Sequence, residues 1–332
     1  MSAARTRLAK LAAACGALAA LATGIGAWAL ERGWLELPLA ELMTRYQLPD
    51  SRFLDVDGVR VHYLDRGNGP PVLLLHASYL SLRSWDAMAE MLEDHYRVIR
   101  LDLSGAGLTG PDPSGRYGIE RNIELVRGLL AHLQLPEVAV VGTSSGGITA
   151  FRFAAGYPQQ VSRLVLINSA GMPRTAATNP LRARGTPLTE WVNARYRSRR
   201  FWAQSLGENF VPPHRPPAAL VEMTYDMNRR AGHREIAARY LANFSTGDPQ
   251  SVLAQVRAPT LILWGIENRT VMHLEADVFA HWMVSARTQV KKYHGLGHYA
   301  YIEDPARVAR DIDGFLAAAT PDGEAAGSAG TP

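Results

Sequence analysis

Ser144 stands in Gly142-Thr143-Ser144-Ser145-Gly146, a G-x-S-x-G pattern. It follows the apolar, β-branched run Val138–Val141 and precedes Ile148–Ala155, which reads as a helix. Strand, tight turn, helix is the setting that holds a serine hydroxyl exposed on a sharp turn. Glycine on both sides leaves room where the strand and helix backbones approach closely. The helix N-terminus beneath the serine favours developing negative charge. The bland alternative is a Gly/Ser loop that only reverses the chain. A serine hydroxyl is too weak a nucleophile to act alone and needs a base. Of the 10 histidines, His298 is set apart by its place in Gly-Leu-Gly-His, after the last strand pattern. His294 sits at the strand end and is the weaker candidate. For most of the others, a surface or core role is the plain reading.

These residues need a scaffold, and the chain spells one out. Arg52–Asp65 alternates apolar and polar residues about Asp57-Gly58, a hairpin signal. Short apolar runs at Pro71–Leu75, Tyr96–Leu101, Val138–Val141, Arg163–Ile167 and Pro259–Leu263 read as buried strands, with Thr288–Tyr293 the last. Helical patterns at Leu82–Leu92, Glu120–Leu133 and Asp304–Leu316 alternate with them. Such alternation predicts an α/β fold with a mostly parallel sheet and helices on both faces. Residues 171–250 interrupt it. They read mainly as helices, Thr189–Leu206 and Ala218–Ala242, and predict a helical cap over the C-terminal strand ends.

The start of the chain is of another kind. Arg5, Arg7 and Lys10 precede Leu11–Leu30, twenty residues without a charge. That length of helix spans a bilayer core, and the leading positive flank keeps the N-terminus cytoplasmic. Residues 1–33 are therefore expected to be a membrane anchor, with a cleaved signal peptide as the competing reading. The catalytic part is then expected outside the cytoplasm, on a bacterial-type inner membrane facing the periplasm, or secreted if the segment is cleaved. Residues 34–51 read as an amphipathic connector. Residues 318–332 are Ala, Gly, Pro and Ser-rich, and are expected to be disordered. A formal net charge of +4 over 332 residues is too small for a nucleic-acid footprint, so no nucleic-acid partner is expected. Cys15 is the only cysteine, which excludes an internal disulfide. No zinc-type spacing or phosphate-cradling loop is present, and no metal or cofactor is expected.

The matching stretches Leu73–Ser78 (LLLHAS), Asp102–Pro113 (DLSGAGLTGPDP), Val141–Gly147 (VGTSSGG), Pro259–Gly265 (PTLILWG) and Gly295–Pro305 (GLGHYAYIEDP) follow one another in order. By them the chain resembles the α/β-hydrolase superfamily from about Arg52 to Leu316, and among its members the capped bacterial serine hydrolases with an N-terminal membrane segment. The resemblance implies an eight-stranded, mostly parallel sheet in two core parts, 52–170 and 251–317, flanking the cap. It implies Ser144 as nucleophile and His298 as base. The backbone N–H groups of Ser78 and Ser145 would form the oxyanion hole, with Ala77 and Tyr79 beside the substrate. His76 and Asp102 would hold loops. Ala77 stands where the family has Gly, so the backbone there must avoid positive φ.

The third triad member departs from the family's pattern. The position that carries Asp in relatives holds Asn268, and the alternative position after the earlier strand holds Asn168. Glu267 is adjacent, one methylene longer, and is the expected substitute. Otherwise a neutral amide orients His298, activity is low, or the protein is no efficient hydrolase.

The cap arginines Arg182, Arg184, Arg195, Arg197, Arg199 and Arg200 make a basic face. Beside a membrane it would favour anionic lipid by about 1 kcal/mol per residue. Trp191, Tyr196, Phe201 and Trp202 alternate with them and read mostly as cap core. The function expected is cleavage of ester bonds in a hydrophobic small molecule or lipid through an acyl-enzyme. Carbon–carbon bond hydrolysis on the same scaffold is the alternative, and a non-catalytic binding protein is the rival from another class. Dehalogenase and epoxide-hydrolase chemistry would need a carboxylate at position 144.

Overall fold

The computed structural model describes residues 2–173 and 186–318. Arg182, Arg184 and, apart from Ala318, the tail expected to be disordered lie outside the described residues.

The chain opens with α1 (Ser2–Glu31), 30 residues long. Its stretch Ala13–Glu31 has mean hydropathy 1.7 and packs against no core, so by length and composition it is able to cross a membrane. The connector contains α2 (Leu39–Tyr46), whose Leu42 is buried against Leu108 and Met227. The hairpin follows: β1 (Arg52–Val56) and β2 (Val59–Arg66) turn at Asp57 and Gly58, with φ of 52° and 79°. Positive φ at both turn positions matches the twist of the paired strands, and explains why Asp-Gly sits there.

Then come β3 (Pro71–Leu75), a 3₁₀ turn at Leu82–Trp85 running into α3 (Asp86–Leu92), β4 (Arg97–Leu101) and α4 (Ile119–His132). The helix expected at Leu82–Leu92 thus begins as a tighter turn. Next are β5 (Val138–Thr143), α5 (Ser145–Gly156) and β6 (Val161–Ile167). Four helices occupy the described part of the insertion: α6 (Pro187–Arg195), α7 (Arg199–Gly207), α8 (Ala218–Met227) and α9 (His233–Asn243). The chain returns through α10 (Pro249–Leu253), β7 (Thr260–Gly265), α11 (Glu275–Trp282), β8 (Thr288–Tyr293), α12 (Ala300–Glu303) and α13 (Pro305–Ala317).

Each long helix expected in the insertion is two. The first breaks because Ser198 caps a new helix, its Oγ accepting from Phe201 N at 3.1 Å. The second breaks at Gly232, which takes the left-handed φ of 78° before α9. Hydrophobic periodicity runs through both breaks, so it conceals them.

The eight strands form one sheet in the order β1-β2-β4-β3-β5-β6-β7-β8. Pairs β1/β2 and β2/β4 are antiparallel, and all the others are parallel. Alternate residues of β3 feed opposite faces: Leu73 and Leu75 pack with Leu125, Leu129, Phe151 and Phe279, while Val72 and Leu74 pack with Trp85, Met88, Val308 and Ile312. Both faces are covered, so the central strands are apolar throughout.

The insertion is tied to the end of α1. Arg195 Nε donates to Glu31 at 2.7 Å, Arg234 Nη1 to the Leu30 carbonyl at 3.2 Å, and Arg229 Nη1 to the Leu35 carbonyl at 3.1 Å. Leu37 pairs with Arg230 as a short parallel bridge. The end of the apolar helix therefore lies against the insertion.

Candidate active site

Ser144 sits between β5 and α5 with φ 51° and ψ −122°, a strained conformation for a side-chain-bearing residue. Its neighbours make that turn possible. A Cβ on Gly146 would lie 2.4 Å from the Leu75 carbonyl oxygen and 2.5 Å from that of His76. A Cβ on Gly142 would lie 2.6 Å from the Gly146 carbonyl oxygen. Backbone, not a mobile side chain, blocks both. The Ser144 carbonyl accepts from Gly147 N and Ala170 N, each at 3.0 Å, and Ser144 N donates to Ile167 O at 3.2 Å. Gly146→Ala is expected to push β3 from α5. It should cost about 1–3 kcal/mol or more and lower the midpoint of chemical denaturation. An unchanged midpoint would mean the elbow has more slack than these distances allow.

His298 is buried on the loop after β8, with Nε2 3.0 Å from Ser144 Oγ. Several residues hold that loop. Asn168, at φ 46°, donates through Nδ2 to the Gly297 and His298 carbonyls at 3.0 and 2.9 Å, and its Oδ1 accepts from Gly265 N. His298 N donates to Asn209 O at 2.9 Å. Glu303 accepts from Gly297 N at 2.8 Å and from Val211 N at 2.9 Å. Burial raises its carboxyl above the ordinary range, against those N–H donors. The sequence carried no signal for Asn209 or Glu303, because both roles depend on contacts across the fold. Asn168, considered above as an alternative acid position, is a loop clamp.

The third position corrects the expectation for Glu267. Glu267 accepts from Gly295 N at 3.0 Å and is partly exposed, with its nearest ring nitrogen that of His294 at 4.0 Å. Asn268 is the residue that meets the base: its Nδ2 lies 3.1 Å from His298 Nδ1. Asn268 Oδ1 accepts from Thr270 N at 2.9 Å and Val271 N at 3.1 Å. Those two donors fix the amide, since the NH₂ turned toward them would set donor against donor. The NH₂ therefore donates to Nδ1, and the ring proton rests on Nε2, pointing at Ser144.

Ser78 follows β3, and its Oγ donates to Ser145 Oγ at 2.8 Å, which sets the two residues side by side next to Ser144. Ala77 is buried and avoids positive φ; Tyr79 takes φ 66° instead. Asn228 Nδ2 donates to the Tyr79 carbonyl at 2.9 Å, and the Tyr79 ring lies 5.4 Å from that of Trp202. His76 Nε2 accepts from Leu103 N at 3.0 Å, and burial pushes its imidazole down, keeping it neutral.

Asp102 serves other partners than the catalytic pair. It accepts from Leu82 N and Leu108 N, each at 2.8 Å, and from His62 Nδ1 at 2.7 Å. Burial opposes its charge, but the His62 bond and these N–H groups outweigh it and hold the carboxyl below the usual range. Among the described residues no cluster of His, Cys, Asp and Glu is arranged to hold a metal ion.

Sheet order, elbow and histidine loop define the class. Residues 70–305 match the family model described as the alpha/beta hydrolase fold, and the chain belongs to that family. It is 28% identical over 299 residues to a 2-hydroxy-6-oxo-2,4-heptadienoate hydrolase of Pseudomonas putida, covering 83% of this chain and 99% of that protein. A membrane phospholipase A described as a bacterial virulence factor superposes with TM-score 0.68 at 26% identity, covering 91% of this chain and 96% of the other. A thermophilic esterase from Thermogutta terrifontis gives 0.67 at 27% identity, covering 80% and 98%.

Proposed function

We propose that this hydrolase is held to a membrane by α1 and cleaves ester bonds of hydrophobic, lipid-derived substrates through an acyl-enzyme. The observation that carries the proposal is the 3.0 Å contact of Ser144 Oγ and His298 Nε2 on a strained elbow. Ser144 attacks the carbonyl as its proton passes to His298 in the minor Nδ1–H tautomer, the Ser78 and Ser145 amides hold the oxyanion, His298 passes that proton to the leaving group, and water releases the acyl group. Ala77 and Tyr79 border the bound substrate, and α6–α9 cover it as a cap.

Lipid rather than soluble ester is supported by the ties between α1 and the insertion, which hold the site's covering helices at the end of the apolar helix. The likeness to a membrane phospholipase A supports the same reading. The likeness to the Pseudomonas putida dienoate hydrolase supports carbon–carbon hydrolysis as the second reading.

The test uses the full chain in detergent and in liposomes. Faster hydrolysis of liposome-embedded long-chain esters than of short soluble esters is expected. Turnover of a vinylogous 1,5-diketone acid exceeding that of every ester would replace the proposal by the second reading. No turnover of any of these, with no fluorophosphonate labelling of Ser144, would mean a non-catalytic member of the family.

A further inference from the structure

Arg197 lies in the short turn between α6 and α7, half-buried. Its guanidinium carbon is 5.6 Å from the ring centre of Tyr79, 5.4 Å from that of Phe201 and 5.5 Å from that of Trp202. Tyr79 is the residue after Ser78, so the cation stands one ring away from the loop that borders Ser144. That ring is fixed: its residue is held at positive φ, its carbonyl by Asn228, its face by Trp202.

The other half-buried or buried arginines of the insertion have partners. Arg195 pairs with Glu31, Arg229 with Asp226 and Arg234 with Glu36. Arg230 donates to the carbonyls of Gly105, Gly107 and Thr109. Arg197 has no carboxylate in ion-pair range and no hydrogen-bond acceptor among the described residues. Arg200 and Arg215 also lack an acid, but they are exposed to water.

Three aromatic rings stand 5.4 to 5.6 Å from the Arg197 cation, and no acceptor among the described residues takes its N–H edge. That edge is a planar fork of five donors, a match for a carboxylate or phosphate. The charge is felt inward as well. His233 is pushed down to about 4, first by burial and then by the charges of Arg230 and Arg197. The buried acids Asp102 and Glu303 are committed to other partners: Asp102 to His62 and two backbone N–H groups, Glu303 to Gly297 and Val211.

We propose that Arg197 is the docking group for an anionic part of the substrate, a carboxylate or phosphate ester carried by the molecule whose acyl carbonyl meets Ser144. This rests on the hydrolase reading above and adds to it a charge requirement.

Two readouts separate the two. The first is binding of octyl phosphate, followed by tryptophan fluorescence, which needs no turnover. The second is the ratio of kcat/KM for p-nitrophenyl hydrogen suberate to that for p-nitrophenyl octanoate, esters of equal acyl length that differ by one carboxylate. Arg197→Gln is expected to weaken octyl phosphate binding and to lower the ratio, each by about tenfold or more. Arg197→Lys should fall between, because it keeps the charge and loses the fork.

A third arm compares hydrolysis of phosphatidylglycerol and diacylglycerol vesicles. A preference for the first that Arg197→Gln abolishes, with an unchanged suberate ratio, would assign the anion to a lipid headgroup. A lowered suberate ratio would assign it to a free acid. Equal loss on charged and neutral substrates, or unaltered octyl phosphate binding, would overturn the proposal. If the wild-type protein hydrolyses none of these but Arg197→Gln still abolishes octyl phosphate binding, the anion site stands and the hydrolase reading falls.

Discussion

Asn268→Asp is expected to raise kcat on p-nitrophenyl esters by roughly 10³–10⁴. In the wild-type site Asn268 Oδ1 is taken by Thr270 N and Val271 N, and Nδ2 is aimed at His298 Nδ1. An NH₂ group donates, so Nδ1 accepts and the ring proton stays on Nε2. Facing Ser144 Oγ at 3.0 Å, that proton leaves no lone pair to receive the serine proton. Asp is nearly isosteric and has acceptors only. One of its oxygens would keep both backbone N–H bonds while the other takes Nδ1–H, which turns the Nε2 lone pair toward Ser144. In the serine-protease triad the opposite change, Asp to Asn, lowers kcat by about 10⁴ through the same tautomer. The site is thus already shaped for a carboxylate and holds an amide. The rate of fluorophosphonate labelling should rise alongside kcat. A rate within about twofold of wild type for both would show that His298 is not the base. His298→Ala should cost far more when combined with Asn268→Asp than in the wild type, since only in that variant does the ring carry the usable tautomer. Glu267→Gln, with Glu267 bonded to Gly295 N rather than to the base, should leave labelling within about twofold of wild type.

Ser144→Ala is expected to abolish fluorophosphonate labelling and, combined with Asn268→Asp, to reduce esterase turnover by at least about 10⁴, since that variant has the full machinery available. The comparison has an internal control. Ser51 Oγ lies 2.8 Å from His62 Nε2, and His62 Nδ1 lies 2.7 Å from Asp102. There the carboxylate fixes the ring proton on Nδ1, and the Ser51 hydroxyl donates to Nε2. Yet Ser51 Oγ also accepts from Leu48 N at 3.0 Å and sits in a turn, not on an elbow at a helix N-terminus. A serine in hydrogen-bond contact with a well-oriented histidine still needs donors aimed at the developing oxyanion. Label should therefore appear on Ser144 and not on Ser51. Persistent label on the chain after Ser144→Ala, mapped to Ser51, would contradict this account and shift attention to the connector.

Much of this protein is written locally. The elbow needs glycine at 142 because the start of α5 closes on it, and at 146 because the end of β3 does, and the motif that records this spans five residues. The hairpin at Asp57-Gly58, the apolar parallel strands and the amphipathic α4 and α13 are fixed by residues within one turn or strand of each other. Their bounds differ from the pattern by a residue or two. The N-terminal apolar helix is legible for the same reason. What sequence alone left open depends on approach between distant segments. Whether Glu267 or Asn268 turns to His298 is decided after β7 ends, where Thr270 N and Val271 N capture the Asn268 oxygen and Gly295 N captures Glu267. The hold of Asn209, Glu303 and Asn168 on the histidine loop, and the place of Arg197 beside Tyr79, arise only when residues far apart in the chain are packed together. Periodicity reports which face of an element is apolar. It does not report what that face, or the polar group beside it, will meet.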